Sequence, residues 1–239
     1  MGNPVKGKIN SIQTMGTLDG PGVRFVAFMQ GCNLRCGCCH NPETWPMDGG
    51  EEYSAAELAK LAERYRTYFG NDGGVTLSGG EPLLQAEFAA EFFLECHKLG
   101  INTCIDTSGS IISDEVLALL GHTDRVLLDI KYTTDEKYRE FVGCGMDKPL
   151  EFLEVLEKRG IPVTLRQVII PGLNDDAGNI KILRQIVAEH SCIDKVELLP
   201  FKKLCSVKYE KQGLDFRFKN ISEPTPEKMA ELQKLLDEE

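Results

Sequence analysis

Short apolar, β-branched runs alternate along the chain with stretches whose apolar positions recur at helical spacing. The first pattern predicts strands at Val23–Gln30, Gly74–Ser78, Ile101–Asp106, Arg125–Ile130, Pro162–Ile170 and Lys195–Leu199. The second predicts helices at Ser54–Tyr68, Gln85–Leu99, Ser113–Leu120, Leu150–Arg159, Ala177–His190 and Pro226–Leu236. Ser54 followed by Glu57 reads as a capping box, and Gly100 and Gly160 stand where helices should stop. Strand–helix alternation favours parallel strands joined by right-handed crossovers. About six such units predict an α/β fold, a partial (β/α)6 barrel rather than a closed eight-fold one. Without an internal repeat, low-complexity tract or linker, residues 1–239 read as one domain. The polar stretch from Cys205 to Pro226 is expected to be an irregular surface loop before a last helix.

This pattern gives the chemically marked residues a common address. A cysteine-rich loop follows the first predicted strand, and Ser78-Gly79-Gly80-Glu81 follows the second. Asp106 and Thr107 end the third, Asp129 and Lys131 the fourth, and Pro200 to Lys202 the sixth. In parallel α/β folds the carboxyl ends of the strands form one rim, where sites are built.

Composition narrows the chemistry. Hydrophobic residues are 42% of 239, enough for a sizeable core and too many for a disordered chain. A formal net charge of −10 argues against a nucleic-acid partner, which needs a basic face. The longest apolar runs, such as Val23–Met29, are too short to span a bilayer. Met1 to Asn10 lacks an apolar signal core, so a cytoplasmic location is expected.

Nine cysteines is an odd number, and four of them crowd into Cys32–Cys39. A disulfide scaffold would spread them more evenly through a shorter chain. Cys96, Cys104, Cys144, Cys192 and Cys205 read as reduced thiols that pack as small apolar residues. Cys32, Cys36 and Cys39 have the spacing C-x3-C-x2-C. A loop of that length can wrap three thiolates round one [4Fe–4S] cluster, which usually takes four protein ligands. Three leave one iron open to a small chelating cofactor. A structural zinc site is the alternative, but zinc favours two separated ligand pairs and the chain has no second CxxC downstream. Cys38 also reads as a small loop residue.

The spacing C-x3-C-x2-C after a first strand, with Gly79-Gly80-Glu81-Pro82 later, resembles the radical S-adenosylmethionine superfamily. Gly16-Thr17-Leu18-Asp19-Gly20-Pro21-Gly22-Val23-Arg24 and Cys39-His40-Asn41-Pro42-Glu43-Thr44-Trp45 are similar to the glycyl-radical-enzyme activases. The resemblance covers nearly the whole chain. It implies the partial barrel of the radical SAM type, with catalytic cluster ligands at Cys32, Cys36 and Cys39. It implies a cofactor surround of Cys38, Cys39, His40, Gly79, Gly80, Glu81, Asp129, Ile130, Lys131, Arg166 and Lys202. It also implies a monovalent cation on Asp106, Thr107, the Leu127 carbonyl and Asp129. Plainer readings stay open: a tight βα turn at Gly79-Gly80, a rim salt bridge between Asp129 and Lys131, a helix cap at Asp106, and a structural ion pair at Arg166.

The sequence departs from the family pattern twice. The position before the last cluster cysteine is usually aromatic and here is Cys38; the position after Phe201 is usually His and here is Lys202. Lys202 also reads as an ordinary surface residue. Asp19-Gly20-Pro21-Gly22 is a turn by composition, and by resemblance a lip for a partner's glycine loop.

The implied reaction is reductive cleavage of S-adenosylmethionine, with flavodoxin or ferredoxin as electron donor. The resulting 5′-deoxyadenosyl radical takes hydrogen from a glycine of a partner lyase, with pyruvate formate-lyase the expected partner. Activases with a ferredoxin-like insert are disfavoured, since no cysteine lies between Trp45 and Ser78. An activase of anaerobic ribonucleotide reductase remains an alternative. So does a simple iron–sulfur electron carrier, which leaves Gly79-Gly80-Glu81, Asp129 and Lys131 unexplained.

Overall fold

The computed structural model describes residues 5–238. The first four positions of Met1–Asn10 lie outside the described residues. In chain order the elements are β1 (Lys6–Gly16), β2 (Arg24–Met29), β3 (Glu51–Ser54), α1 (Ala55–Glu63), α2 (Arg66–Phe69) and β4 (Gly74–Gly79). They continue with α3 (Ala86–Lys98), β5 (Asn102–Thr107), α4 (Asp114–Leu120), β6 (Arg125–Asp129), α5 (Asp135–Phe141) and α6 (Asp147–Arg159). The last are β7 (Val163–Ile169), α7 (Ala177–Glu189), β8 (Ile193–Pro200), α8 (Ser206–Lys211) and α9 (Pro226–Asp237). The fold is mixed α/β, with a mostly parallel sheet that stays open.

The chain divides into two compact units, Met1–Asn33 with Thr44–Leu127, and Leu34–Glu43 with Leu128–Glu239. In the first unit the strands run in the order β3-β1-β2-β4-β5. β2, β4 and β5 pair in parallel, with Arg24 opposite Gly74 and Gly74 opposite Asn102. β1 is antiparallel to both β2 and β3, so in this unit the expectation of parallel strands holds for β2, β4 and β5 only. β1 lacks the buried-strand signature because beyond Ile9 half-buried and exposed positions alternate, most of them polar, with irregular register. Phe25, Val26, Leu77, Phe88, Phe92 and Phe93 are fully buried and form the core of this unit. Each such side chain contributes roughly 1.5–3 kcal/mol on leaving water.

In the second unit β7 and β8 pair in parallel, and the Ile130 N–H, just past β6, donates to the Arg166 carbonyl at 2.9 Å. Ile169, Ile180 and Leu232 pack together, which fastens α7 and α9 onto the strands. The tail expected to be an irregular surface loop is corrected. α8 is helical, and Tyr209, Phe216 and Phe218 are buried among Phe201 and Phe141. All three aromatics of that stretch turn inward, which the charged residues around them conceal.

The caps match the sequence. Ser54 and Glu57 form the full capping box of α1, and Gly160 closes α6 in the left-handed conformation. The helix expected over Ser54–Tyr68 is shorter: α1 stops at Glu63, and α2 begins only at Arg66.

Candidate active site

In the first unit, the end of β2 and the loop after β4 are drawn together by backbone bonds. Gly80 N–H donates to Met29 O at 3.0 Å, and Glu81 N–H to Gly31 O at 2.9 Å. A Cβ on Gly80 would lie 2.1 Å from Gly31 O, so only glycine permits this approach. Gly79 has φ +96°, a second reason for glycine. The turn is therefore tight, as composition alone suggested, and it carries a buried acid.

That acid is Glu81. Its Oε1 accepts from Leu83 N–H at 3.2 Å and Thr107 Oγ1 at 2.5 Å. Its Oε2 accepts from Ser108 N–H at 3.0 Å and Ser108 Oγ at 2.5 Å. Burial pushes its pKa up, against the pull of Ser108 and Thr107. All these donors belong to the protein itself, so Glu81 ties the loop after β4 to the end of β5. Ser108 was not singled out by sequence; its place beside Thr107 was the available signal. Asp106 accepts from Ser78 Oγ at 2.7 Å and does not cap a helix; Ser113 caps α4.

Asp19 to Gly22 precede β2 and so lie at the amino ends of the parallel strands. The segment is pinned there by Arg24, which is fully buried. Arg24 donates to Thr76 Oγ1 at 2.8 Å and Asn102 Oδ1 at 2.9 Å, and Thr76 Oγ1 donates to Asp19 O at 2.7 Å.

In the second unit, Cys36 and Cys39 are half-buried on one turn, where Cys39 N–H donates to Cys36 O at 3.1 Å. Cys32, the remaining member of the motif, belongs to the first unit and is likewise half-buried. Cys38 differs: it is buried, and burial pushes its thiol up to about 12. A thiol sealed from water in this way holds its proton. A Cβ on Gly37 would strike the Phe218 ring at 2.5 Å, and Gly37 N–H donates to Phe141 O at 2.8 Å.

The loop's far end is held by α8. Tyr209 Oη donates to Cys39 O at 3.2 Å. Lys208 Nζ donates to Asn41 Oδ1 at 2.8 Å and to Glu43 Oε1 at 2.6 Å. Neither Lys208 nor Tyr209 was singled out by sequence, because about 165 residues separate them from their partners and no local pattern marks them. The His40 ring meets Lys202 O at 3.1 Å; a carbonyl only accepts, so Nε2 carries the proton. Burial lowers the pKa of His40, which favours the neutral ring. Lys202 Nζ itself pairs with Glu223 at 2.8 Å.

Asp129 sits between two cations. Oδ2 meets Lys131 Nζ at 2.8 Å, and Oδ1 meets Arg166 Nε at 3.2 Å. Burial alone would raise the Asp129 pKa, but Lys131 and Arg166 outweigh it and hold it below the usual range. Burial would lower Lys131; the Asp129 carboxylate reverses this and lifts it well above its ordinary value. Two cations on one carboxylate leave net positive charge at this point of the site. Ile130, between them in sequence, is fully buried. The rim salt bridge and the Arg166 ion pair are both present.

Among the described residues, no three His, Cys, Asp or Glu side chains are gathered into an ion site. The fit to an iron–sulfur cluster therefore rests on donor chemistry. The loop offers thiols, an Asn41 N–H already bonding the Cys39 sulfur at 3.4 Å, and adjacent positive charge. Beside it lies the buried Tyr132 hydroxyl, for which no described residue supplies a partner. These features fit the group.

Comparison with known proteins defines the class. The family model for the Radical SAM superfamily matches residues 26–180. The "Pyruvate formate-lyase-activating enzyme" of Clostridium pasteurianum is 46% identical over 235 residues, 98% of each chain. The "Pyruvate formate-lyase 1-activating enzyme" of Escherichia coli (strain K12) is 38% identical over 240 residues, 98% of this chain and 96% of that one. Streptococcus suis SuiB, solved bound to S-adenosylmethionine, has the same fold: TM-score 0.65 at 17% identity, covering 85% of this chain and 43% of that one. The chain belongs to the radical SAM superfamily and, within it, to the pyruvate formate-lyase-activating enzymes.

Proposed function

We propose that this chain is an enzyme that activates pyruvate formate-lyase by making a glycyl radical on it. The observation that carries the reading is the contrast within the cysteine loop. Cys32, Cys36 and Cys39 are all half-buried, whereas Cys38 is buried and its thiol pushed up by burial. That is a three-thiolate donor set with one iron left over for a chelating cofactor. When bound, the [4Fe–4S] cluster and S-adenosylmethionine supply reductive C–S cleavage and a 5′-deoxyadenosyl radical that takes a hydrogen atom from a glycine of the lyase.

The protein's own residues hold and orient. Cys32, Cys36 and Cys39 ligate the cluster. Glu81 fixes the Gly79-Gly80 turn so that its backbone faces the cofactor's amino group. Lys131 and Arg166 keep a positive field for a carboxylate. Cys38 and His40 shape the loop through backbone and ring contacts rather than by proton transfer. No general base is required. The reductant is flavodoxin or ferredoxin, and the reaction runs in the cytoplasm. No helix among the described residues is long and apolar enough to cross a membrane. A monovalent cation on Asp106, Thr107, the Leu127 carbonyl and Asp129 belongs to the same reading. It competes with the Glu81 bond of Thr107 and the two ion pairs of Asp129.

The test is direct. Protein reconstituted anaerobically with iron and sulfide is mixed with dithionite, S-adenosylmethionine and pyruvate formate-lyase. The expected result is 5′-deoxyadenosine together with a glycyl doublet in electron paramagnetic resonance. A protein that carries an intact cluster yet forms no 5′-deoxyadenosine would overturn the proposal.

A further inference from the structure

We propose that the Tyr132 hydroxyl donates a hydrogen bond to a sulfur of the cluster held by the cysteine loop, and so raises the cluster's reduction potential. This rests on the cluster reading above and adds a tuning residue to it.

Tyr132 directly follows Lys131 and is 1% exposed. Its ring packs edge-on to Tyr138 at 6.4 Å and against Phe141 at 5.5 Å. Phe141 is the residue whose carbonyl holds Gly37, the middle of the cysteine loop. The ring is thus wedged beside the strut that fixes Cys36 and Cys38. Its hydroxyl is buried and has no partner among the described residues. Buried hydroxyls almost always find a partner, so one that lacks it within the protein asks for an acceptor from elsewhere.

Tyr138, next to it, shows that aromatic packing alone does not leave hydroxyls unmatched. Its Oη accepts from Lys131 N–H at 3.1 Å and donates to Asp129 O at 3.3 Å. The groups acting electrostatically on Tyr132 are Cys38, Cys36, Lys131 and Arg217. The two cations cannot accept a hydrogen bond. The Cys38 sulfur is a weak acceptor. The acceptor that remains is sulfur of the loaded loop, either the Cys36 thiolate or a sulfide of the cluster. Burial pushes the tyrosine pKa far above its ordinary value, so the proton to donate is always present.

Hydrogen bonds to cluster sulfurs are among the main determinants of potential. Each draws electron density from the cluster and stabilises the reduced state. Tyr132 therefore makes the cluster easier to reduce without touching the cofactor.

The experiment compares anaerobically reconstituted full-length wild type and Tyr132→Phe in a redox titration followed by the resonance of the reduced cluster. The expected result is a more negative potential for the variant. The reduced-to-oxidised ratio at fixed solution potential falls about tenfold, ~59 mV for a one-electron couple. After exchange into heavy water, electron–nuclear double resonance should show an exchangeable proton coupled to the cluster in wild type and not in the variant. If Tyr132→Phe fails to fold, 3-fluorotyrosine at position 132 keeps the shape with a stronger donor and moves the potential upward. An intact cluster whose potential ignores these changes, with the coupled proton unaltered, overturns the proposal and leaves the cluster reading standing. A wild-type protein that assembles no [4Fe–4S] cluster overturns both.

Discussion

Glu81, buried, and Asp129, half-buried, are two carboxylates at the carboxyl ends of parallel strands, and the protein treats them in opposite ways. Glu81, in the first unit, is surrounded by neutral donors: two backbone N–H groups and two hydroxyls. Asp129, in the second, is surrounded by Lys131 and Arg166. Both lose water. Neutral donors do not fully offset that loss, so the Glu81 pKa rises. Cations more than offset it, so the Asp129 pKa falls. Burial alone therefore does not say what a carboxylate is for. A ring of dipoles makes Glu81 a fastener of backbone, whereas paired cations make Asp129 the counter-charge that holds Lys131 and Arg166.

The largest effect is expected where that counter-charge is removed. Asp129→Asn leaves Lys131 and Arg166 largely buried without their shared carboxylate, a loss of about 3–5 kcal/mol by analogy with broken buried pairs. Urea denaturation measures it. The pH dependence follows from the lowered pKa: Asp129 contributes stability above its ordinary value of 3.8, lost as pH falls through its folded pKa. The variant should lack that acid limb. If it is as stable as wild type, Asp129 is not the keystone of the pair.

Glu81→Gln should have a smaller effect of a different sign with pH. The amide NH2 must face at least one backbone N–H, leaving a buried donor unmet at about 1–3 kcal/mol. A raised carboxylate pKa works against the fold as pH rises. Its stabilising share is complete below the ordinary value of 4.5 and is lost as pH climbs through the folded pKa. Thermal melting across that range should therefore fall more steeply with pH for wild type than for Glu81→Gln. Parallel curves would mean that Glu81 does not titrate there.

The comparison also marks what the sequence could reveal. Periodicity found β2, β4, β5, β6, β7 and β8 to within two residues; the first five are largely buried runs, and β8 stands out by its apolar Val196, Leu198 and Leu199. It missed β1 and β3, whose burial is partial and whose residues are largely polar. It missed α5, where Asp135, Glu136, Lys137, Arg139 and Glu140 crowd out the apolar stripe. For the site, the cysteine spacing was legible because its ligands are neighbours in the chain. The partners of Glu81 were not, since Thr107 and Ser108 meet it only through the pairing of β4 with β5. The same holds for Tyr209 on Cys39 and for the unmatched Tyr132 hydroxyl, both products of tertiary packing.

The second unit relies on α8 to hold the cysteine loop, where the first unit uses Glu81 to hold its glycine turn. Tyr209→Phe removes one hydrogen bond to Cys39 O and keeps the buried ring, so the expected loss is about 0.5–1.5 kcal/mol. The more telling readout is iron release to a chelator, which should quicken as the loop loosens. Unchanged release would place the grip on Lys208 instead.

The smallest effect is expected at Lys202, and it bears on the site rather than on stability. Its ammonium is already paired with Glu223 near the surface, and its contact with the loop is made by its backbone carbonyl to His40. Exposed pairs of this kind are screened and add little. Lys202→Ala should keep the denaturation midpoint of wild type, because the carbonyl that meets His40 survives the substitution. It should also bind S-adenosylmethionine as wild type does, measured by equilibrium dialysis on the reconstituted protein. A clear loss of cofactor affinity would show that Lys202 leaves Glu223 for the cofactor when the site is filled. The positive field of the second unit would then rest on three cations rather than on Lys131 and Arg166 alone.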